Sequence, residues 1–157
     1  MRAAAGIATI VALAFAAVAP AATQPTGFRS PSGNISCLFV PASHDDTGQL
    51  LPAQLLCSIE RSAYRTTLQD RCLNPNGQVG AGVDWHGFSL GATRQGFVVC
   101  SGGILYPNQV KPSYVTLRYG ATMRRGEITC RSQRTGVTCH NRSGHGLFVS
   151  RETWRVW

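Results

Sequence analysis

The sequence predicts an all-β protein: one small antiparallel sheet domain that is held by disulfides and forms a sandwich or a partly open barrel. Apolar residues recur in short alternating or clustered runs, which Gly, Pro and Asn turns separate. No stretch of the sequence keeps a helical period for three turns. Six cysteines, an even number, add the expectation of covalent cross-links.

Eight segments carry the strand pattern. They are ISCLFV (35–40), QLLCSIE (54–60), GFVVCS (96–101), SYVTLRY (113–119), EITCRS (127–132), GVTCHN (136–141), GLFVSR (146–151) and TWRVW (153–157). The segment RSAYRTTLQDR (61–71) allows a short helical turn, but it has too few apolar positions to predict a helix.

Two tetrapeptides predict β-turns. In SPSG (30–33), Pro31 fixes the backbone of the first central position and Gly33 completes the turn. NPNG (74–77) repeats this arrangement with Pro75 and Gly77.

The N-terminus predicts a cleaved signal peptide over residues 1–22. Arg2 precedes an apolar run over residues 3–19, and small residues around Pro20 follow. The run is mostly alanine, whereas a membrane-spanning helix needs about 20 strongly apolar residues. We therefore expect residues 23–157 to form a single secreted or periplasmic domain without a transmembrane segment.

All six cysteines lie in this predicted domain and indicate three disulfides. Zinc ligands are usually spaced C-x2-C to C-x4-C, but even the tightest pair, Cys130 and Cys139, has eight residues between its members. No metal is therefore expected.

An internal repeat suggests how the cysteines pair. GNISC (33–37) and GEITC (126–130) share a pattern, and a second cysteine-bearing strand follows each. Opposed strand residues lie close enough for a bridge, so the predicted pairs are Cys37–Cys57 and Cys130–Cys139, which leaves Cys72–Cys100. Placing Cys130 opposite Cys139 makes Arg134 and Thr135 the tip of a hairpin.

Positive charge is concentrated near the C-terminus. The formal net charge of the full chain is +8. From residue 118 onward there are eight arginines against two glutamates, whereas residues 23–117 hold six basic and five acidic residues. Two explanations stay open: a compositional preference for arginine that serves solubility, or attraction to anionic polymers outside the membrane.

Several motifs together give the chain a family resemblance: FRSPSGNISC (28–37), GEITC (126–130), GVTCHN (136–141) and SGHGLFVSR (143–151). The chain resembles a family of small exported proteins from actinobacteria and proteobacteria that share a domain of unknown function. Members carry Leu-Pro-Tyr-Gly where this chain has LRYG (117–120), with Arg118 in place of proline. The resemblance implies a secreted, disulfide-bonded domain, and it supplies no catalytic residues.

Three histidines are the candidates for acid–base catalysis. His140 and His145 lie five residues apart beside arginines, which suggests a proton-transfer pair, a metal site, or simply a strand residue and a turn residue. His86 follows Asp84 by two positions, so an extended segment would place both on one side. The six cysteines are expected to be oxidised, which leaves no thiolate nucleophile.

A binding function is the favoured prediction, with an enzyme as the alternative. We expect Arg131, Arg134, Arg142 and Arg151 to bind an anionic envelope polymer, a glycan or another exported protein. Tyr119, Phe148, Trp154 and Trp157 would supply stacking rings. NGQVGAGVDW (76–85) lacks the phosphate-loop and dinucleotide patterns, so no cofactor is expected, and nothing indicates specific recognition of a nucleic acid. The alternative is a small secreted hydrolase that uses His145 with His140 or His86.

Overall fold

The computed structural model describes residues 26–73, 83–102 and 111–157. The predicted signal peptide and the NPNG turn lie outside these residues. Thirteen strands and one helix are described, in this order: β1 (Gly27–Arg29), β2 (Ile35–Val40), β3 (Ser43–His44), β4 (Leu50–Leu51), β5 (Gln54–Ile59), α1 (Arg65–Leu73), β6 (Asp84–Gly91), β7 (Gly96–Ser101), β8 (Tyr114–Thr116), β9 (Thr122–Arg125), β10 (Ile128–Gln133), β11 (Gly136–Asn141), β12 (Gly146–Val149) and β13 (Trp154–Val156).

The strands form two main sheets that enclose one core. The first sheet has the order β7-β6-β5-β2-β1-β8, and the second has the order β13-β12-β11-β10-β9. Neighbouring strands are antiparallel except for β1 and β8, which are parallel. Both sheets end in edge strands, so the barrel is not closed. The all-β antiparallel prediction is confirmed, and the architecture is a sandwich.

The core lies between the inner faces of the two sheets. Strand residues alternate between core and solvent, and the largest side chains that are completely buried include Phe28, Phe88, Leu55, Leu90 and Leu147. Trp154 packs against this core, with its ring 5.4 Å from that of Phe88. It was expected to belong to an exposed aromatic surface, and this expectation is wrong because β13 turns Trp154 inward.

The disulfides join the pairs expected from the sequence: Cys37–Cys57, Cys72–Cys100 and Cys130–Cys139. Cys37 lies directly opposite Cys57, and Cys130 directly opposite Cys139. These two bridges meet across the core, where the Sγ atoms of Cys37, Cys57 and Cys139 lie within 4.8 Å of one another. All three sulfurs are oxidised, so the cluster offers no thiolate to a metal.

Several described elements were not predicted from the sequence, namely β1, β3, β4, β6, β9 and the extent of α1. The strand predicted over 113–119 is only three residues long, and the helix begins at Arg65, inside the segment considered for a helical turn. In α1 only Leu68 and Cys72 are buried, one turn apart. The Cys72–Cys100 disulfide therefore fixes a helix that has almost no apolar face of its own.

Tyr64 connects the start of the helix to the second sheet. Its hydroxyl donates a hydrogen bond to the Ser150 carbonyl at 2.8 Å, and its ring meets those of Trp85 and Phe88 edge-on. Burial raises the pKa of Tyr64 to about 12. The folded state therefore favours the neutral phenol.

We expect Tyr64→Phe to remove one late step from the alkaline titration of the tyrosines. The unfolded chain loses the Tyr64 proton near pH 10, whereas the folded chain keeps it until about pH 12, so the pKa difference lowers stability as pH rises through this window. Spectrophotometric titration of tyrosinate in the folded chain measures the step. Loss of a step near pH 10 in the variant would contradict the assignment.

Ser132→Ala should leave the free energy of unfolding unchanged or raise it by up to about 1 kcal/mol. Ser132 is completely buried, and its hydroxyl has no hydrogen-bond partner among the described residues. Ser150→Ala is the matched control, because the Ser150 hydroxyl bonds the Thr153 carbonyl and amide at 3.0 Å. We expect the control to lose about 1 to 2 kcal/mol in urea unfolding with the disulfides oxidised. Equal losses in both variants would contradict the unpaired hydroxyl.

Candidate functional site

The hairpin of β10 and β11 carries two of the arginines that were predicted to bind, Arg131 and Arg134. Gln133 pairs with Gly136, so Arg134 and Thr135 form the tip, as predicted. Gly136 has a φ of 145°, a conformation that favours glycine at the turn exit. The hairpin is fixed by the disulfide between its opposed cysteines.

One face of the second sheet is turned away from the core, and we call it the outer face. Its residues alternate with the buried ones along each strand. The strand register aligns one row across all five strands: Thr122, Arg131, Thr138, Phe148 and Arg155. A second row contains Arg124, Thr129, His140 and Gly146.

Two aromatic rings cover glycines of this sheet. A Cβ atom at Gly136 would lie 2.9 Å from ring atoms of Phe148, and a Cβ at Gly146 would overlap the indole of Trp157. Trp157 also donates its indole N–H to the Gly144 carbonyl at 3.0 Å. The guanidinium of Arg155 lies 4.7 Å from the centre of the Trp157 ring. Both rings are half-buried and therefore keep part of their surface in solvent.

The four arginines predicted to bind are exposed, but they do not form one patch. Arg131 belongs to the outer face. Arg134 lies at the hairpin tip, 5.2 Å from the centre of the Tyr119 ring, and Arg151 follows β12. Arg142 lies in the loop after β11, where it pairs with Glu127 at 3.8 Å.

Arg134 and Arg151 share a cleft at the tip end of the hairpin. The cleft has a volume of about 380 Å³, and it is also lined by Arg61 and Tyr119. Glu152 is the acidic residue among the described residues that line it. Sequence reasoning did not place Arg61 in the site, because only the fold brings the segment after β5 to the hairpin tip.

Asn141 organises the loop that contains His145. The Asn141 side chain is 2% exposed, and its oxygen accepts hydrogen bonds from the amides of Ser143 and His145. Its nitrogen donates to the carbonyl of Gly91, the last residue of β6, and to that of Arg94, in the loop between β6 and β7, each at 2.9 Å. All four of these side-chain hydrogen bonds go to backbone groups, and the sequence pattern did not predict this role for Asn141.

The histidines occupy separate surroundings. His140 is exposed on the outer face, and the amide and carbonyl of His145 are both bonded to Asn141. His86 is the extra residue of a β-bulge in β6, and its Nε2 lies 2.8 Å from the Ser101 carbonyl. Asp84 instead accepts a hydrogen bond from Gln69, so the described contacts do not couple Asp84 to His86.

Residues 6–156 match DUF6636, which is described as a family of unknown function. The chain belongs to the DUF6636 family. No curated protein and no solved structure matches this DUF6636 chain. Within the described residues, it has no helix with the length and apolar character needed to cross a membrane.

The motifs that carried the family resemblance meet in this DUF6636 fold. Ser30, Ser32 and Asn34 come from SPSGNISC, while Gly136 and Arg151 come from the C-terminal motifs, and all five line the cleft. The predicted SPSG turn is present, closed by a 2.8 Å hydrogen bond from the Gly33 amide to the Ser30 carbonyl.

Asn141→Ala in this DUF6636 domain should lower the free energy of unfolding by about 3 kcal/mol, because it leaves buried carbonyls and two amides without their partner. His145→Ala should cost less than about 1 kcal/mol, since Asn141 binds only the backbone of His145. Urea unfolding of both variants measures the difference. Similar losses would mean that the His145 ring itself holds the loop.

Proposed function

We propose that this chain is an exported, non-enzymatic domain that binds an anionic polymer of the cell envelope on its outer face. The observation that carries the proposal is the charge pattern of the second sheet. Its outward side chains include Arg124, Arg131 and Arg155, and strands β9 to β13 contain no acidic residue. A flat surface of one charge sign attracts an extended chain of the opposite sign.

Arginine binds an anionic polymer better than a side chain whose charge changes with pH, such as histidine. A guanidinium stays charged at all physiological pH values and donates paired hydrogen bonds to phosphate and carboxylate oxygens. Arg131 lies on β10, next to the edge strand β9, between Thr122 and Thr138 on the neighbouring strands. The threonine hydroxyls add neutral hydrogen-bonding groups beside the charge.

The aromatic rings favour a polymer with sugar units. Phe148 and Trp157 cover glycine positions on the outer face, so part of each ring meets solvent. Aromatic rings are enriched at interfaces because they contribute large contact area with little conformational entropy. A glycan with anionic substituents would use both the rings and the arginines.

The histidine surroundings support binding over catalysis. The alternative hydrolase requires His145 to act with His140 or His86. His145 lies in a loop held by Asn141, and the imidazole Nε2 of His86 lies 2.8 Å from the Ser101 carbonyl on the neighbouring strand of the first sheet. The small cleft that His86 lines also contains Arg65 and Trp85, but neither His140 nor His145.

Retention on immobilised anionic wall polymer tests the proposal. The triple variant Arg124→Gln, Arg131→Gln, Arg155→Gln should elute at much lower salt than the parent. With fewer arginine contacts, binding releases fewer counterions from the polymer and is therefore weaker. The matched control is Arg29→Gln, Arg71→Gln, Arg94→Gln, which removes the same charge from exposed sites outside the second sheet. We expect the control to elute close to the parent.

The outcome separates a specific face from general basicity. Equal loss of retention in both triple variants would show that net charge alone drives binding. Retention that does not depend on salt would contradict an electrostatic face. Capture by an exported protein, with no retention on the polymer, would assign the face to a protein partner and overturn the proposal.

A further inference from the structure

We propose that the cleft at the hairpin tip is a separate binding site for a phosphate group carried by a sugar or a polyol. The proposal goes beyond the polymer-binding outer face and uses none of the arginines assigned to that face. Three arginines from distant parts of the chain converge on the cleft: Arg61, Arg134 and Arg151. Against them stands Glu152, so the described lining carries a net charge of +2, from three positive charges and one negative.

The three arginines are available to a ligand. Each is exposed, and no ion pair joins any of them to another residue in the described ranges. The Arg134 guanidinium lies over the Tyr119 ring, which restricts where it can point. Tyr119 itself is held by a β-turn, in which the Ala121 amide donates to the Arg118 carbonyl at 3.0 Å.

The backbone that carries Arg61 is held in place by Asn34. The Asn34 side chain accepts a hydrogen bond from the Arg61 amide and donates one to the Arg61 carbonyl, both at 3.0 Å. The Ser30 hydroxyl in turn accepts from the Ile35 amide at 3.1 Å. The SPSGN segment is therefore a brace for one wall of the cleft.

The backbone around Arg151 is similarly fixed. The Arg151 carbonyl accepts a hydrogen bond from the Ala63 amide at 2.9 Å, and the preceding Ser150 hydroxyl closes a turn with Thr153. A site whose arginines stand on braced backbone loses less conformational entropy when a ligand binds. The cleft is thus largely preformed.

The composition of the cleft favours phosphate over carboxylate. A carboxylate has two oxygens, which a single guanidinium can satisfy, whereas a phosphate group presents more oxygens and up to two charges. Three guanidinium groups and the hydroxyls of Ser32 and Thr135 provide enough donors for the larger number of phosphate oxygens. The volume of about 380 Å³ exceeds a lone phosphate and lies in the range of small-molecule sites, which leaves room for a sugar.

A titration followed by nuclear magnetic resonance tests this site in the chain lacking residues 1–22. The probes are inorganic phosphate, glucose 6-phosphate and a glycerol phosphate oligomer, with glucose and acetate as controls. We expect glucose 6-phosphate to shift the amides of Ser32, Asn34, Arg134 and Thr135 in a saturable way. Stronger binding of the oligomer would identify a polymer phosphodiester as the source of the phosphate, and stronger binding of glucose 6-phosphate a free sugar phosphate.

Single substitutions assign the effect to the cleft. Arg61→Gln, Arg134→Gln and Arg151→Gln should each weaken binding at least about fivefold, the loss expected for one charged hydrogen bond. Arg151→Lys should retain part of the affinity, because it keeps the charge. Glu152→Gln should strengthen binding, because it removes the opposing charge. Arg71→Gln, at an exposed position of α1 outside both proposed binding surfaces, is the matched control and should have no effect.

Two results would overturn the site. One is the absence of saturable shifts at the cleft amides with all three phosphate probes. The other is an equal loss of affinity in Arg71→Gln and Arg134→Gln, which would indicate general attraction. Polymer retention by the outer face is measured separately, so the cleft proposal fails alone if retention persists while the cleft stays unresponsive.

Discussion

The close approach of two disulfides at the centre of the sandwich is the constraint on which the other features depend. Each bridge joins directly opposed residues of neighbouring strands, and the Cys139 sulfur of one bridge lies within 4.8 Å of both sulfurs of the other across the core. A shift of one residue in either strand pair would separate the cysteines and reverse which side chains face solvent. The same bond that fixes the core of the second sheet therefore holds Arg131 and its threonine neighbours on the outer face.

Most of the fold could be predicted wherever the two-residue alternation is uninterrupted. Strands β2, β5, β7, β10 and β11 have clear patterns, and the cysteines within them gave both the pairing and the hairpin tip. Strand β6 was missed because His86 is an additional residue and Gly87, with a φ of 113°, interrupts the alternation. A Cβ at Gly87 would overlap the carbonyl of Cys57, so the close approach of β5 requires this glycine. Strand β9 was missed because an edge strand with two arginines looks like a solvated loop.

The candidate sites were less predictable, because they depend on distances between remote segments. The excess of arginine was visible in the sequence, but the register and the loops divide it among the outer face, the cleft and the ion pair of Arg142. Arg61 reaches the cleft through Asn34, which is 27 residues away in sequence. Asn141 shows no signal of its importance, since its role arises from carbonyls 47 and 50 residues earlier. Such convergence belongs to the fold and cannot be derived from local patterns.

Gly136 stands where the two proposed binding regions meet. It ends the hairpin turn that presents Arg134, it lines the cleft, and the Phe148 ring of the outer face lies over it. Selection on the cleft and selection on the outer face therefore both act on this position. A side chain there would strain the turn and displace the ring together, so neither region can drift at this point without altering the other. Relatives that lack glycine here should therefore have changed both regions, and this co-variation gives a direct way to ask whether the regions act as one.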